Sequence, residues 1–308
     1  MKILIIGGTG HVGSFLTEQL IEQGHKVVIG SRNQKVLPSN SPLHKVLHKV
    51  NILKCDSKVA DDLKGLAKER FDVVIDFPGT AYNTYIAFRD TASHIIACGS
   101  LWMFGYPHIV PTPEIRQEKC VFEGYEKRYQ EILEMIEDSG KHRAVFTAIM
   151  PPNICGPGKI PLETSGGRSI DVHRALKEGK PVYLPEGTEA LIGPCDASDI
   201  ANLFALAVNN RIAAAGQIFN AGSAYSVTAS QFVKIYSDIY GVDIPIEKVS
   251  WEVYKKDICP NIGQWWHFYA HMQPDISKAR RLLGYSPRYT PEETIARAVD
   301  WMFAEKLL

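Results

Sequence analysis

In the first 150 positions, short apolar runs alternate with stretches in which apolar residues recur at helical spacing. The runs are rich in Val and Ile and predict strands at 2–6, 27–30, 52–55, 71–77, 94–98 and 144–149. Apolar residues at helical spacing predict helices at 12–22, 59–69 and 122–138. Strands that alternate with helices are typical of βαβ units around a parallel sheet that is buried on both faces. The pattern therefore predicts an α/β fold with a Rossmann-type, doubly wound parallel sheet.

The composition of the chain changes after Met150, where proline and glycine become frequent and remain so until Pro194. Beyond this stretch, residues 200–208 and 217–220 predict one more helix and strand of the first sheet. Further helical patterns lie at 228–240, 275–284 and 291–306. We therefore predict a dinucleotide-binding Rossmann domain and a smaller α/β substrate-binding lobe. The predicted boundaries are 1–150 with 194–222 for the domain and 151–193 with 223–308 for the lobe.

Charge and cysteine content narrow the classes of protein to consider. The 308 residues contain 34 basic and 34 acidic side chains, so the formal net charge is zero. This balance argues against a large phosphate-binding face, and hence against nucleic acid as the main partner, although a local basic patch remains compatible with it. The six cysteines form no CxxC pair, which favours free thiols in a reducing compartment. No apolar run approaches the roughly 20 residues that span a membrane. We expect a cytoplasmic protein.

A glycine-rich loop joins the first predicted strand to the first predicted helix. It reads Gly7-Gly8-Thr9-Gly10-His11-Val12-Gly13, and its three spaced glycines form a G-x-x-G-x-x-G pattern. Glycines in this context allow a tight turn and close backbone approach, while the helix N-terminus offers unpaired N–H groups to a pyrophosphate. The loop predicts a dinucleotide site, with cofactor contacts from Gly7, Thr9, Gly10, His11, Val12 and Gly13.

The end of the second strand indicates which nicotinamide cofactor is preferred. A site for NAD normally carries a carboxylate there for the ribose 2′-hydroxyl, but this chain reads Gly30-Ser31-Arg32-Asn33. A hydroxyl followed by a guanidinium suits a 2′-phosphate, which favours NADP over NAD. Arg32 could instead be a solvated loop charge or stack on the adenine of NAD. Asp56, after the third strand, could accept a hydrogen bond from the adenine or simply cap a helix.

Together with the glycine loop, several further motifs resemble those of the extended short-chain dehydrogenases/reductases, the family of nucleotide-sugar epimerases and dehydratases. The motifs are Gly99-Ser100-Leu101-Trp102-Met103-Phe104-Gly105, Pro152-Asn153-Ile154-Cys155-Gly156-Pro157-Gly158, Asp196-Ala197-Ser198-Asp199-Ile200-Ala201 and Asp275-Ile276-Ser277-Lys278-Ala279 with Leu283-Gly284-Tyr285. The resemblance covers nearly the whole chain. It implies that Ser100 hydrogen-bonds the reacting oxygen, and it adds cofactor contacts from Pro78, Gly79, Pro151 and Asn153.

The chain departs from this family where the proton chemistry is expected. The family uses a Tyr with a Lys four residues later, because an unperturbed Tyr, with a pKa near 10, is almost wholly protonated at neutral pH. Here Tyr125 is followed four positions later by Tyr129. Alignment on Lys127 instead places Glu123 at the tyrosine position. The catalytic candidates are thus Ser100, Tyr125, Lys127 and Glu123.

Helix geometry helps to rank the candidates for proton transfer. A helix advances about 100° per residue, so Tyr125 and Lys127 point to nearly opposite faces, whereas Tyr125 and Arg128 share one. We favour Tyr125 with Ser100, because Glu123 at neutral pH would be an anion with no acidic proton to give. Arg128, or Lys127 after a local distortion, would supply the positive charge. The alternative is Glu123 as a buried carboxylate base.

Other candidate side chains have simpler interpretations. His267 and His271 are spaced for a shared metal, but no third ligand is evident, so we predict no metal site and favour a packed aromatic wall. The resemblance implies that this segment faces the cleft, where Trp and Tyr could stack on a sugar or base, and packing in the core is an equal alternative. Cys98 and Cys155 are interpreted as small buried hydrophobes. Three arginines could neutralise a substrate diphosphate, although surface charge is the simpler interpretation for each; they are Arg168, Arg280 and Arg281.

Two classes of function remain open at this point. The first is an NAD(P)-dependent oxidoreductase, epimerase or dehydratase acting on a nucleotide sugar or similar small carbonyl compound. The second is a catalytically reduced NADP-binding protein with a regulatory or RNA-binding role. Glu126-Lys127-Arg128-Tyr129-Gln130-Glu131 and the strand Asp72-Val73-Val74-Ile75-Asp76 resemble the chloroplast stem-loop-binding branch, which favours the second class. Zero net charge favours the first. Homodimerisation is left open.

Overall fold

The computed structural model describes residues 1–32, 41–187 and 189–308. Its strands are β1 (Lys2–Ile6), β2 (Lys26–Ser31), β3 (Asn51–Lys54), β4 (Val73–Asp76), β5 (His94–Cys98), β6 (Val145–Met150), β7 (Asn153–Cys155), β8 (Val182–Pro185), β9 (Leu191–Ile192), β10 (Pro194–Asp196), β11 (Gln217–Asn220), β12 (Val227–Thr228) and β13 (Ile246–Val249). Its α-helices are α1 (His11–Glu22), α2 (Ala60–Ala67), α3 (Ala81–Phe88), α4 (Glu123–Ser139), α5 (Ile170–Lys177), α6 (Ala197–Asn209), α7 (Arg211–Ala214), α8 (Ala229–Tyr240), α9 (Trp251–Val253), α10 (Ile262–Trp265), α11 (Ser277–Leu283) and α12 (Pro291–Ala304).

Within these residues, seven parallel strands form the central sheet in the order β11-β6-β5-β4-β1-β2-β3. Strand β1 lies between β2 and β4, with Ile6 opposite both Gly30 and Asp76. The chain proceeds from β1 outward to β3 and then crosses back to β4, so the direction of winding reverses between β1 and β4. A ligand cleft is expected outside the carboxyl ends of the strands at this switch point. The predicted Rossmann-type sheet is confirmed.

Helices cover both faces of the sheet, and their apolar stripes form two hydrophobic clusters. Helices α1 and α6 pack together on one face, where Leu16 and Phe204 are fully buried. Helices α2, α3 and α4 cover the other face, with Phe88 and Ile132 in its core. Burial of an aliphatic or aromatic side chain of this size contributes roughly 1.5–3 kcal/mol, so these contacts fix the helices against the strands. They thereby position the loops at the carboxyl edge.

A third hydrophobic cluster lies outside the sheet and is drawn from residues between Cys155 and Met302. It contains parts of α8 and α12 together with the parallel pair formed by β8 and β13. Thr290 starts α12 with a capping box, in which its hydroxyl accepts from Glu293 N–H and the Glu293 carboxylate accepts from Thr290 N–H. The two-domain division made from the sequence stays a prediction.

Two elements differ from the expectations. The sequence predicted a helix at 275–284 as part of the smaller lobe, but α11 packs against α6, α7 and β11, and its Ala279 and Leu283 join the core beside the sheet. The sequence analysis also missed α3. Only Tyr85 and Phe88 of its apolar residues are buried, and Asn83 and Thr84 interrupt the helical pattern. In the part of the chain that is described, no helix combines the length and the apolar character needed to cross a bilayer.

Candidate active site

The glycine loop forms a cradle at the start of α1. Gly7 adopts a φ of +82°, which favours glycine, and its carbonyl accepts from Gly10 N–H at 2.9 Å. Helix α1 begins after Gly10 with no side-chain hydrogen bond at its cap and no acidic residue in its first turn. Its first N–H groups therefore face the loop without a competing side-chain acceptor, as an anion site requires.

Close backbone approach explains two of the glycines. A Cβ at Gly13 would lie 2.5 Å from the Gly7 carbonyl oxygen and 2.8 Å from the Gly8 Cα, so helix α1 can approach β1 this closely only without a side chain there. A Cβ at Gly8 would lie 2.8 Å from the Ile29 side chain. A loop with glycine at these positions allows the close backbone approach that a pyrophosphate site requires.

His11 joins the glycine loop to the loop after β7. Its Nε2–H donates to the Pro157 carbonyl at 2.8 Å, while its buried Nδ1 has no hydrogen-bond partner among the described residues. Burial lowers the pKa of His11 to about 4, so the ring is neutral at pH 7 and Nδ1 is an acceptor. The sequence assigned His11 to the cofactor through its place in the loop. The structure adds that its side chain holds the two loops together.

The predicted 2′-phosphate contacts lie at the end of β2. Ser31 is the last residue of this strand, and the side chain of Arg32 is exposed beyond it. Asn33, the next residue of the quoted motif, lies outside the described residues. Asp56 follows β3 and accepts from Lys58 N–H at 3.0 Å, while its own N–H donates to Asp62 at 2.8 Å. Asp56 therefore shapes this loop whether or not it also contacts an adenine.

A buried carboxylate organises the turn after β4 that contains Pro78 and Gly79. Asp76 accepts hydrogen bonds from the N–H groups of Gly79 and Thr80 and from the hydroxyls of Thr80 and Thr84. Burial raises the pKa of Asp76, and these hydrogen bonds oppose the rise. The turn brings Pro78 to 3.2 Å from where a Cβ of Gly7 would be, so it forms one wall beside the glycine loop.

A cleft with a volume of about 240 Å³ opens at the carboxyl ends of β5 and β6. Its walls come from the loops after these strands, from α4 and from three residues further along the chain, Lys159, Arg168 and His267. The lining residues are Gly99, Ser100, Trp102, Tyr125, Pro151, Pro152, Asn153, Ile154, Lys159, Arg168 and His267. Two of the four catalytic candidates, Ser100 and Tyr125, thus share one cavity with Pro151 and Asn153.

Ser100 is held at the cleft by the turn that follows β5. Its Oγ accepts from Trp102 N–H at 3.3 Å, and the next residue, Leu101, donates its N–H to the Pro151 carbonyl. The Ser100 hydroxyl proton is not used in that bond, because Oγ acts there as the acceptor. It is therefore available to donate to an oxygen in the cleft.

Arg128, rather than a lysine, brings positive charge to Tyr125. The Arg128 guanidinium lies 5.5 Å from the centre of the Tyr125 ring, and its Nη2 donates to the Cys98 carbonyl at 3.1 Å. Its carbon Cζ lies only 2.7 Å from the position that a Cβ at Gly79 would occupy. The guanidinium therefore bridges α4 to the ends of β4 and β5, beside the cleft.

The other residues on α4 do not reach the cleft. Tyr129, at the position of the family's lysine, is buried against Phe104 with Arg116 over its ring. The Lys127 side chain is 79% exposed and lies 3.7 Å from Glu131. Glu123 is exposed at the start of the helix and does not line the cavity. A local distortion that would bring Lys127 to Tyr125 is absent from α4, and Glu123 is not the buried carboxylate that the alternative requires.

His267 lines the cleft, and its hydrogen-bond partner differs from that of His271. Asn153 Nδ2 donates to His267 Nδ1 at 2.9 Å, and the Trp102 ring lies 4.8 Å from the imidazole. His271 instead accepts from Leu191 N–H through its own Nδ1. The two histidines therefore have separate partners. Burial lowers the pKa of His267 to about 3, and the positive charge of Arg168 adds to this effect.

Arg168 is a functional candidate for which the sequence favoured surface charge. The structure corrects this, because the side chain is half-buried and donates at 2.6 Å to the carbonyls of Ile160 and Ile154. Within the described residues, no carboxylate lies within ion-pair distance of its guanidinium, and Lys159 lines the same cleft. The sequence signal available was its place directly after Gly166-Gly167 in the proline- and glycine-rich stretch. The buried cysteines behaved as expected, and burial raises the pKa of both Cys98 and Cys155 to about 12.

Comparison with known proteins places this chain in a family. The sequence profile of the NmrA-like family matches residues 1–307. The chain belongs to the NmrA-like family. Solved epimerase structures share its fold, which agrees with the family resemblance seen in the motifs.

Two relatives and one solved structure illustrate the likeness. The chloroplast stem-loop binding protein of 41 kDa b from Arabidopsis thaliana is 28% identical over 306 residues, which cover 94% of this chain and 75% of that protein. The UDP-glucose 4-epimerase of Corynebacterium glutamicum is 23% identical over 348 aligned positions, covering 100% of this chain and 97% of that protein. The UDP-glucose-4-epimerase of Stenotrophomonas maltophila, solved with bound NAD and formylated UDP-arabinopyranose, superposes with a TM-score of 0.78 at 16% identity over 99% of both chains.

Proposed function

We propose that this protein binds NADP along the glycine loop and uses it to oxidise, reduce or epimerise a nucleotide sugar or a similar small carbonyl compound. The observation that carries this proposal is the shared cavity of Ser100 and Tyr125, which opens at the carboxyl ends of β5 and β6 beside Arg128. A hydroxyl donor and a phenol with adjacent positive charge are the groups that carbonyl redox chemistry requires.

Each of these side chains has one role in the proposal. Ser100 donates its hydroxyl proton to the reacting substrate oxygen and so fixes the position of that oxygen. Tyr125 gives a proton to this oxygen in reduction or removes it in oxidation. Arg128 stabilises the negative charge on the phenolate that remains after the proton is given. Bound NADP would supply the hydride donor or acceptor at its nicotinamide ring.

The preference for NADP rests on the residues around the end of β2. Ser31 and Arg32 would hold the 2′-phosphate, and the loop offers no carboxylate there to bind a 2′-hydroxyl. The N-terminus of α1 would hold the pyrophosphate, and Pro78, Gly79, Pro151 and Asn153 would flank the nicotinamide half.

The nucleotide-sugar class is supported by charge in the cleft and by the relatives. Arg168 and Lys159 line the cavity without a carboxylate within ion-pair distance among the described residues, so an anionic substrate would offset their charge. The Corynebacterium glutamicum relative is a UDP-glucose 4-epimerase, and the superposed epimerase holds a UDP-sugar. By this proposal, the diphosphate would lie toward Arg168 and the sugar toward Ser100.

The test is turnover of UDP-sugars by the purified protein with NADP. Oxidation or reduction is followed by NADPH absorbance, and epimerisation, which leaves no net change in NADP, by chromatography of the sugar products. We expect at least one UDP-sugar to react, and Tyr125→Phe to abolish the reaction. A wild-type protein that binds NADP but converts no member of a panel of UDP-sugars and small ketones would contradict the proposed chemistry.

A second candidate, an NADP-binding protein with an RNA-binding role, is favoured by two observations. The 28% identical relative from Arabidopsis thaliana is named a stem-loop binding protein, and this chain also has Tyr129 in place of the family's lysine. Filter binding of a labelled RNA stem-loop at about 150 mM salt distinguishes the two. Tight binding that falls steeply with added salt would favour this role, because phosphate contacts release counterions.

A further inference from the structure

The wall of the cleft opposite Tyr125 contains a histidine whose tautomer is set by its neighbours. Gly193 N–H donates to Asn153 Oδ1 at 3.0 Å. A backbone N–H can only donate, so Oδ1 must face Gly193 and the amide nitrogen Nδ2 must face His267. Nδ2 can also only donate. His267 Nδ1, at 2.9 Å, is therefore the acceptor and carries no proton.

A neutral imidazole with no proton on Nδ1 must carry its proton on Nε2. We propose that His267 is a specificity-determining residue of the cleft, whose Nε2–H donates to an acceptor oxygen of the substrate because Asn153 holds this tautomer. The inference rests on the proposed function, since it concerns the substrate of the same cavity.

The surroundings of His267 keep the imidazole in place. Asn153 is only 5% exposed, and its backbone N–H donates to the Gly193 carbonyl, so both its backbone and its side chain are bonded to the residue just before β10. The centre of the Trp102 ring lies 4.8 Å from that of the imidazole and 5.8 Å from that of the Tyr125 ring, so Trp102 is close to both side chains. Trp102 in turn donates its indole N–H to Met272 Sδ.

This arrangement selects the kind of substrate group that can bind. A fixed Nε2–H accepts no hydrogen bond, so it pairs with a hydroxyl, carbonyl or phosphate oxygen and leaves an ammonium group without a partner. The nearby cations Arg168 and Lys159 act in the same direction, because they repel a positively charged amine. The cleft should therefore favour sugars with oxygen at this position over their amino analogues.

Nitrogen NMR of the ligand-free protein, labelled with ¹⁵N in histidine and asparagine, tests the tautomer directly. At pH 7 we expect His267 to show a protonated Nε2 and an unprotonated Nδ1. We also expect a scalar coupling across the hydrogen bond from Asn153 Nδ2 to His267 Nδ1. His267→Gln identifies the signals by their loss. A protonated Nδ1, or an absent coupling with Nδ1 unbonded, would overturn the inference without any substituted protein being needed.

The variant Asn153→Asp tests whether Asn153 sets the tautomer of His267. A carboxylate cannot donate, so it should draw the proton onto His267 Nδ1, either as the other tautomer or as the imidazolium. His271 is the internal control, because its Nδ1 accepts from the Leu191 backbone N–H and should not change. If His267 Nδ1 remains unprotonated in folded Asn153→Asp, the proposed control of the tautomer is wrong.

Binding of UDP-glucose to the NADP-loaded protein tests the contact with substrate. His267→Leu removes the donor and should weaken binding about five- to tenfold, the usual effect of one hydrogen bond, while His267→Gln retains an N–H and should recover part of the loss. Equal binding by wild type and His267→Leu would overturn the contact. Failure of wild type to bind UDP-glucose would instead count against the nucleotide-sugar proposal, and the tautomer measurement then decides the inference alone.

Discussion

Arg128 lies over the ring of Tyr125, with its guanidinium 5.5 Å from the ring centre, three residues further along the same helix. The i, i+3 spacing places both side chains on one face of α4, which a spacing of two residues does not. The hydrogen bond from Arg128 to the Cys98 carbonyl anchors the cation at the end of β5. The helix thereby brings positive charge to the phenol without the lysine that follows such a tyrosine in the family's pattern.

Replacing Arg128 should therefore impair the proton step. In Arg128→Gln, we expect kcat to fall about ten- to hundredfold, because the phenolate loses its neighbouring charge, with Arg128→Lys intermediate. Steady-state turnover on an accepted UDP-sugar measures this. Lys127→Gln is the matched control, since Lys127 is exposed and lies near Glu131 instead. If Lys127→Gln is the more damaging of the two, the assignment of the cation is wrong.

Substitution of Tyr125 and Ser100 tests the reacting groups themselves. Tyr125→Phe should lower kcat about 10²- to 10⁴-fold, the usual contribution of a positioned acid or base, and Ser100→Ala should also lower it. Tyr82→Phe, which removes the hydroxyl of an exposed tyrosine on α3, should leave kcat unchanged. A Tyr125→Phe protein with wild-type turnover and an inactive Glu123→Gln protein would transfer the role to Glu123.

Replacement of glycine by alanine has opposite expected outcomes in the glycine loop and in helix α2. Gly13→Ala would place its Cβ 2.5 Å from the Gly7 carbonyl oxygen, so we expect loss of NADP binding together with a lower melting temperature. Gly65→Ala, in α2, meets nothing within 4 Å and should stabilise the protein by about 0.5–1 kcal/mol through helix propensity. Thermal unfolding with and without NADP compares them. A Gly13→Ala protein that binds NADP normally would contradict the proposed cradle.

Buried histidines should make stability depend on pH. Burial lowers the pKa of His94 to about 3, below the value of 6.5 for an unperturbed histidine, so the unfolded state takes up a proton that the folded state does not. The contribution is complete above pH 6.5 and is lost progressively as the pH falls from 6.5 toward 3. One pKa unit corresponds to about 1.4 kcal/mol.

We therefore expect urea unfolding to show a decrease in stability from pH 7 to pH 5, with a shallower slope in His94→Gln. His94 donates to Thr147 at 2.9 Å, whose hydroxyl donates onward to the Ala214 carbonyl, so the variant retains a polar group for this network. The same slope in both proteins would show that His94 takes up its proton in the folded state as well.

The fold could be predicted from the sequence because most of its signals are local. The strands of the sheet contain short apolar runs. The glycine loop, with Gly7 and Gly13, is recognised because it lies directly between a predicted strand and a predicted helix. Helix α3 was missed since only two of its apolar side chains, Tyr85 and Phe88, are buried, which leaves too weak a periodicity. The placement of α11 depends on contacts with α6 and β11, which are distant in sequence.

The sequence could indicate only those candidate site residues that lie in or near a local motif. Ser100 was proposed from its motif and Tyr125 from the helix that follows, and both line the cleft. The shared helix face of Tyr125 and Arg128 followed from their spacing. The partnership of Asn153 with His267 joins residues 114 positions apart, and nothing local indicates it. Arg168 was interpreted as surface charge because its two carbonyl partners are set by the path of a loop that has no regular periodicity.

The central claim, an NADP site along Gly7 to Gly13 with Arg32 on the 2′-phosphate, is tested most directly by calorimetric titration of wild type and Arg32→Ala with NADP and NAD. We predict that the wild type binds NADP more tightly than NAD. Arg32→Ala should weaken NADP binding about ten- to hundredfold, as expected for hydrogen bonds to a charged group, and leave NAD binding nearly unchanged. Equal or tighter binding of NAD by the wild type would contradict the preference, and binding of neither nucleotide would contradict the site itself.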